Sequence, residues 1–569
     1  MPPLFFHIGT ALNLPLRIST QHFFYVLLIL FLSCSEQRKK DSTTSVFRVA
    51  IPVNPVSLDP QQIWDAVSHK VASQILEGLV TFSPDSLKLL PLIAESWEIS
   101  DDGRTFIFKI RRGIRFHDDP CFPGGKGREL TAEDVRYSWS RILSSENGPP
   151  SVWRAMKDLE GYNPELRKKR KVSGLKTVSE YQLEVRFIRA NVNFPMTTFL
   201  NFAYVVPKEA VEYYGENFRY HPVGTGPFRF ESWERNKQIV LTKNSHYWQT
   251  DKKRRRLPYL DKLVFRIQSN LLINWAEFKA GRLDAVTIPI TVLRNLFKNG
   301  VVDENVLEEK GFKISRQPIS FRSRFIEFEF PTDTLLMSHE IILNNKYFRQ
   351  ALNYAVNREK IVNRFFPGGQ AFPAKSRLPP LYPRHGVTYE GYGYDPERAK
   401  LLLKKAGYPN GEGLPELFLR VPTPDRNLGI AEQITSDWER IGIHVQLLLY
   451  PEYMEPSEED MRLSNMRIAG WNADFPDLSN FMFGIYRSRI FQGDAKEYCR
   501  FLENQIATEL DDSTRIALCY QLDEFATEMA YEIFLYHPTP PIVAVRQNIE
   551  GFVISPIGNA LLSGIRLTK

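Results

Sequence analysis

Residues 93–120 read IAESWEISDDGRTFIFKIRRGIRFHDDP. Within them Thr105-Phe106-Ile107-Phe108-Lys109-Ile110 predicts a strand, since successive side chains of an extended chain point to opposite faces. Asp101-Asp102-Gly103 before it is a tight-turn signal, and Arg111-Arg112-Gly113 ends it. Outward from this stretch the same reading gives strands at Phe47-Arg48-Val49-Ala50-Ile51, Ile239-Val240-Leu241, Lys262 to Ile267 and His444 to Tyr450. Helices lie between them. Thr131-Ala132-Glu133-Asp134 opens one with a capping-type start, and Val135, Ser138, Trp139 and Ile142 continue its face. Phe348 to Phe365 has helical spacing, as has Ile430 to Ile441. Pro396 to Ala406 starts on Pro and stops at Gly407. The region from about 496 to 530 reads as a helical hairpin joined near Asp511-Asp512. Strands and helices that alternate in this way predict large α/β lobes.

The chain has 569 residues, which at roughly 150 per domain allows three to four domains. With 43% apolar and 24% charged residues, and scattered Pro and Gly, it is neither disordered, fibrous nor multi-spanning. The net charge of +7 is a mild excess of 73 basic over 66 acidic residues. Its sharpest basic run, Lys252 to Arg256, reads as a solvated loop ahead of a strand, because no stacking aromatics or Gly-rich RNA signature accompany it. No nucleic-acid partner is expected. The four cysteines, at 34, 121, 499 and 519, form no C-x-x-C, and the ten histidines form no H-E-x-x-H. Neither a metal site nor a cofactor is expected. Cys499 and Cys519 either bridge the helical hairpin or remain two buried thiols, and spacing leaves both open.

Phe23 to Leu32, FFYVLLILFL, is an unbroken apolar run. Ten residues rise about 15 Å as a helix, half a bilayer core, so the run fits a signal-peptide h-region and not a span. Ser33-Cys34 ends it and the polar SEQRKKDSTTS follows. This is similar to a bacterial lipoprotein signal, with Cys34 as the lipidated first residue of the exported chain. The alternatives are a plain secretory signal, or a short anchor with a free Cys34.

Several ordered segments resemble one family. Beside the opening stretch stand Leu130-Thr131-Ala132-Glu133-Asp134-Val135 with Tyr137-Ser138-Trp139, Ser57-Leu58-Asp59-Pro60, Gly224-Thr225-Gly226-Pro227-Phe228, Asn244 with Tyr247-Trp248, and FKAGRLD from Phe278 to Asp284. Phe348 to Ala355 with Asn357-Arg358, Tyr394-Asp395-Pro396, Ala406 to Pro409, and Gly470-Trp471-Asn472-Ala473-Asp474-Phe475-Pro476-Asp477 follow. Together they resemble the extracytoplasmic solute-binding proteins of peptide-type ABC importers, the oligopeptide/dipeptide/nickel-binding family 5. The resemblance implies an α/β, two-lobed periplasmic-binding-protein fold (class II, large peptide-binding type) with an extra subdomain in the first lobe. The expected boundaries are a signal peptide at 1–33, a polar tether at 34–46, lobe I at 47–78, 201–268 and 540–569, the additional subdomain at 79–200, and lobe II at 269–539.

The resemblance also implies the site. A ligand lies between two lobes that close on it, and extended peptides pair with backbone on both sides. Asp474 is the residue expected to face the peptide's α-ammonium; as a purely structural residue it would instead cap a helix or turn ahead of Pro476. In an empty, hydrated cleft Asp474 is expected to need no partner. Gly470, Asn472 and Ala473 would offer backbone groups from lobe II, and Trp64, Asp65 and Ala66 from lobe I. Trp471 and Trp153 are candidate pocket walls, and Trp64 could equally be a buried aromatic. Plain structural readings apply elsewhere. Gly224-x-Gly226 lacks a P-loop Lys and reads as a turn into a strand. Trp97, Trp139, Trp233 and Trp438 read as core anchors, and His117-Asp118 as a turn, not a catalytic dyad.

The function implied is capture of oligopeptides or dipeptides outside the cytoplasm and delivery to ABC permease subunits, by a non-catalytic monomer anchored to a membrane through lipid. A nickel chelate, haem or an oligosaccharide are rival ligands on the same fold. An exported hydrolase would need a nucleophile–base pair or metal cluster, and a transcription regulator would need a DNA-binding domain where the export signal stands.

Overall fold

The computed structural model describes residues 44–568 apart from 84–86, 146–147, 149, 164–171, 299–300, 303–306, 308–309, 318, 331–336, 381–389, 424, 452–455 and 556–559. Cys34 and the apolar run before it therefore lie outside the described residues.

Three sheets carry the architecture. The Val46–Ile51 strand buries Phe47, Val49 and Ile51 and leaves the alternate residues half-buried, as its pattern predicts. It lies inside a seven-stranded mixed sheet, ordered Phe312–Ser315, Val543–Arg546, Ala285–Thr287, Val46–Ile51, Lys262–Ile267, Gln238–Lys243, Phe228–Glu234. Val46 to Ile51 run parallel to Lys262 to Ile267. The second sheet has six strands, ordered Ala371–Pro373, Glu532–Pro538, Arg322–Phe328, Met466–Asn472, Leu417–Thr423, Val445–Pro451. The third is a four-stranded antiparallel sheet of Ala94–Ile99, Thr105–Ile110, Gln182–Arg186 and Leu175–Ser179.

The opening stretch supplies the centre of the third sheet. Ile99 pairs with Phe106, and the turn between them is closed by Ser100 N–H donating to the Thr105 carbonyl at 2.9 Å. Gly103 sits there at φ +65°, a conformation that favours glycine. The Ala132–Leu143 helix has the full capping box between Thr131 and Asp134. Trp139 and Trp438 are core anchors, each donating its indole N–H to a carbonyl, of Ala203 and Leu352 respectively. Trp97 and Trp233 pack on the first core from its margin.

The structure departs from expectation in three places. The Ala285–Thr287 and Phe312–Ser315 strands fall inside the span assigned to lobe II, yet they belong to the first sheet. Ala285 pairs with Val49 and Val545, and Phe312 to Ser315 with Val543 to Arg546. The chain thus passes to the second sheet between Ser315 and Arg322. Strands of three or four residues carry no period to read, so nothing local in the sequence assigns them to the first sheet. Second, the helix expected from Phe348 to Phe365 is two, Lys346–Ala355 and Arg358–Phe365. Val356 is extended, Asn357 caps the second helix through Lys360 N–H, and the buried Arg358 guanidinium binds the Asn353, Val356 and Phe534 carbonyls. Third, the helix expected from Ile430 begins at Asp425. Of the two alternatives left open for Cys499 and Cys519, the structure has two buried free thiols.

The glycine pair of the 224–226 turn has a packing reason. A Cβ on Gly224 would stand 2.3 Å from the Ile75 carbonyl oxygen. His117 is part of the same turn: its Nε2 lies 2.9 Å from the Gly226 carbonyl, and burial lowers its pKa to about 4. Asp118 pairs with Lys126, so the two neighbours form no dyad. The basic run is a loop before the Lys262 strand, with Arg255 on Asp251. Among the described residues no helix is long and apolar enough to cross a membrane, and no metal-holding cluster occurs.

Candidate functional site

The Met466–Asn472 strand runs into the segment that holds Asp474. It pairs antiparallel with Arg322–Phe328, with Asn472 opposite Arg322 and Gly470 opposite Arg324. Just past it, Ala473 N–H donates to the Phe321 carbonyl at 2.9 Å. In such a ladder residues alternate between exchanging bonds with the partner and turning their polar groups away. Gly470 and Asn472 belong to the second set. On that outer edge, among the described residues, the Leu417–Thr423 strand pairs with Met466 and Arg467 and no further along. The strand therefore ends in an open edge that presents the backbone groups of Gly470 and Asn472, while Ala473 N–H is already engaged. Gly470 also lacks a side chain where one would collide with Arg324, whose Cδ would lie 2.6 Å from a Cβ. Arg324 then reaches Asn472 Oδ1 at 3.1 Å.

Asn480 fixes the end of this edge. Its Oδ1 accepts from Trp471 Nε1 at 2.9 Å and from Asp474 N–H at 3.1 Å. Trp471 and Asp474 then line a cavity of about 450 Å³. Its far wall comes from residues 151–200, through Arg154, Lys157, Asn193 and Leu200 among others. The two walls touch directly here. Val192 N–H donates to the Ala507 carbonyl at 3.2 Å, Asn193 Nδ2 to Ser479 Oγ at 2.9 Å, and Arg154 Nη2 to Asp474 Oδ2 at 2.6 Å. The Arg154 guanidinium also lies 5.6 Å from the Trp471 ring centroid. Asn193 Oδ1 is buried with no protein partner. On the lobe II wall Glu503 accepts the Gly484 and Tyr486 N–H groups, and burial pushes its pKa up to about 7.

Asp474, expected to need no partner in a hydrated cleft, has one: Arg154 pairs with it from the opposite wall. A carboxylate and a guanidinium, each little more than a quarter exposed, face one cavity and satisfy one another. Trp64, Asp65 and Ala66 stand apart from this cavity. Asp65 uses its carboxylate to cap the Ala66–Ala72 helix, accepting from Val67 and Ser68 N–H. Trp64 is 62% exposed, so it is not a buried aromatic. Asn201, next to the wall residue Leu200, donates to the carbonyl of Ile63, the residue before Trp64. The side chain of Trp153 lies outside the described residues. Sequence reasoning missed Arg154 and Asn193 and gave no role to Asn480, which stands with Phe481 just past the Asp474 motif; for Arg154 the legible signal was a lone cation in the apolar run Val152-Trp153-Arg154-Ala155-Met156.

The chain belongs to the bacterial extracellular solute-binding proteins, family 5, whose profile matches residues 88–493. It is 25% identical to the dipeptide-binding protein of Escherichia coli strain K12 over 89% of this chain and 91% of that one. It is 26% identical to heme-binding protein A of Haemophilus influenzae, over 94% of each. Among solved structures it is similar to the periplasmic binding protein DppA of Helicobacter pylori in complex with the peptide STSA. There the TM-score is 0.70 and the identity 23%, over 92% of this chain and 98% of that one. The two-lobed fold is thus shared.

Proposed function

We propose that this chain captures short peptides outside the cytoplasm and delivers them to an ABC permease. The observation that carries the reading is the junction of an open strand edge with a charged cavity. Gly470 and Asn472 offer main-chain groups to an extended ligand, which takes affinity without regard to side chains. Asp474 stands at the end of that edge, where the ligand's α-ammonium would lie. The cavity falls in the range of about 300–1,000 Å³ usual for small-molecule sites. Dipeptide-binding relatives and the peptide complex of the Helicobacter protein support the same ligand class. A haem-binding relative is the strongest rival; of the side chains that ligate haem iron, the described lining of the cavity offers Met482 alone.

Within this proposal the protein is non-catalytic and monomeric. Its first 33 residues direct export, and acylated Cys34 tethers it to a membrane. Mass spectrometry of small molecules released on denaturing the purified protein tests the ligand class. Peptides are expected; a tetrapyrrole, a metal chelate or a sugar in their place overturns the reading.

A further inference from the structure

The Arg154–Asp474 pair has donors and an acceptor to spare. Arg154 uses one of its five N–H groups on Asp474 Oδ2. Among the described residues nothing hydrogen-bonds to Asp474 Oδ1, to Arg154 Nη1 or to Arg154 Nε. An ammonium can therefore dock on Oδ1 without evicting Arg154. The guanidinium would keep a planar fork of donors directed at the same ligand end, held from behind by the Trp471 ring. Its surroundings add to the positive character. Arg104, Lys157 and Arg189 share the subdomain wall with Asp102 and Asp158, and Asp102 already faces Arg104 at 3.9 Å. Opposite them, Glu503 has its pKa raised to about 7 by burial, so it is partly protonated near neutrality.

We infer that Arg154 is a specificity-determining residue that reads a carboxylate on the ligand's first residue. The site would take peptides that begin with Asp or Glu, the ammonium on Asp474 Oδ1 and the side-chain carboxylate on Arg154. A fork of guanidinium N–H groups matches a carboxylate in geometry as well as charge, which a lysine does not. A neutral first residue leaves those donors unanswered in a partly closed cavity, and a basic one meets repulsion. This inference rests on the reading that Asp474 receives the α-ammonium.

Calorimetry with the tripeptides Glu-Ala-Ala, Gln-Ala-Ala and N-acetyl-Gln-Ala-Ala tests it, on the unaltered protein and on Arg154→Gln and Arg154→Lys. The unaltered protein should bind Glu-Ala-Ala about ten- to a hundredfold more tightly than Gln-Ala-Ala, as expected for a hydrogen-bonded charge. Arg154→Gln should abolish that ratio, and Arg154→Lys should restore only part of it. Equal binding of the two free peptides, or a ratio that survives Arg154→Gln, overturns the inference. If Arg154→Gln does not fold, the ratio on the unaltered protein decides alone. The acetylated peptide separates the two readings. Weaker binding on acetylation with no Glu preference sinks Arg154 and leaves Asp474 standing. No effect of acetylation, or no binding by any of the three, removes the Asp474 reading and with it this one.

Discussion

Replacing Asp474 by Ala, and acetylating the amine of a neutral peptide such as Ala-Ala-Ala, should remove two ends of one interaction. The side chains of Asp474 and Arg154 are 26% and 28% exposed, so the site lies between two measured regimes. Exposed ion pairs contribute about 0–1 kcal/mol, whereas breaking a buried pair costs about 3–5. An intermediate loss of about 2–3 kcal/mol is expected, or roughly 30- to 150-fold in Kd. Asp474→Ala also leaves the Arg154 cation facing the ammonium, so its loss should be the larger of the two; Asp474→Asn, which keeps the shape, should lie nearer the acetylation value. The four combinations of protein and peptide, measured by calorimetry, form a cycle. Most of the loss should appear as coupling, because the second change removes a contact the first has already broken. Purely additive losses, or an acetylated peptide that binds as well as the free one, would refute direct pairing. Melting of Asp474→Ala should fall only by what the lost Arg154 pair contributes, since the cores of both lobes are untouched.

Arg154→Gln combined with Asn193→Ala deletes two of the bridges between subdomain and lobe II. Small-angle scattering of the ligand-free variant should give a larger radius of gyration, and saturating peptide should shrink it; an unchanged radius in both comparisons would show that these contacts do not hold the lobes. Cys34→Ser should move the protein from the membrane to the soluble fraction or block its processing, and an unchanged membrane fraction with normal signal removal would end the lipid-anchor proposal. Acid stability should depend on two buried groups of opposite sign. His117 has its pKa lowered from 6.5 to about 4, so its contribution is whole above pH 6.5 and is lost as pH falls toward 4; Glu77, raised from 4.5 to about 7 by burial, contributes fully below pH 4.5 and loses that contribution as pH rises through 7. Melting temperatures between pH 4 and 6.5 should therefore fall less steeply toward acid for His117→Asn and more steeply for Glu77→Gln, and parallel curves would reject the assignment.

Sequence showed most clearly those elements whose stability is local. The Thr105–Ile110 strand and its Asp-Asp-Gly turn, the capped helix after Thr131 and the hairpin about Asp511 are each specified by neighbouring residues. What escaped depends on partners far along the chain. The Ala285–Thr287 strand exists because Val49 and Val545 flank it, and the break at Val356-Asn357 exists because Arg358 can reach the Phe534 carbonyl. The site divides in the same way. Asp474 and the Gly470–Ala473 run stand together in one motif. Arg154 is 320 positions away from Asp474, and no local pattern announces that an exposed-looking cation will be carried to that carboxylate.

The open edge at Gly470 and Asn472 has a further consequence, for the behaviour of many copies together. Unpaired strand edges are templates on which other chains can add, and folded proteins that keep one exposed risk assembling into aggregates. Here the bare edge runs up to the cavity that Trp471 and Asp474 line, and Val192, Asn193 and Arg154 bond across that cavity to the segment that follows the edge and to the helices beyond it. A short extended segment can enter; a strand belonging to another folded molecule brings too much bulk with it. A peptide laid along this edge would occupy the same main-chain groups that a neighbouring copy would need, so ligand and self-association compete for one surface.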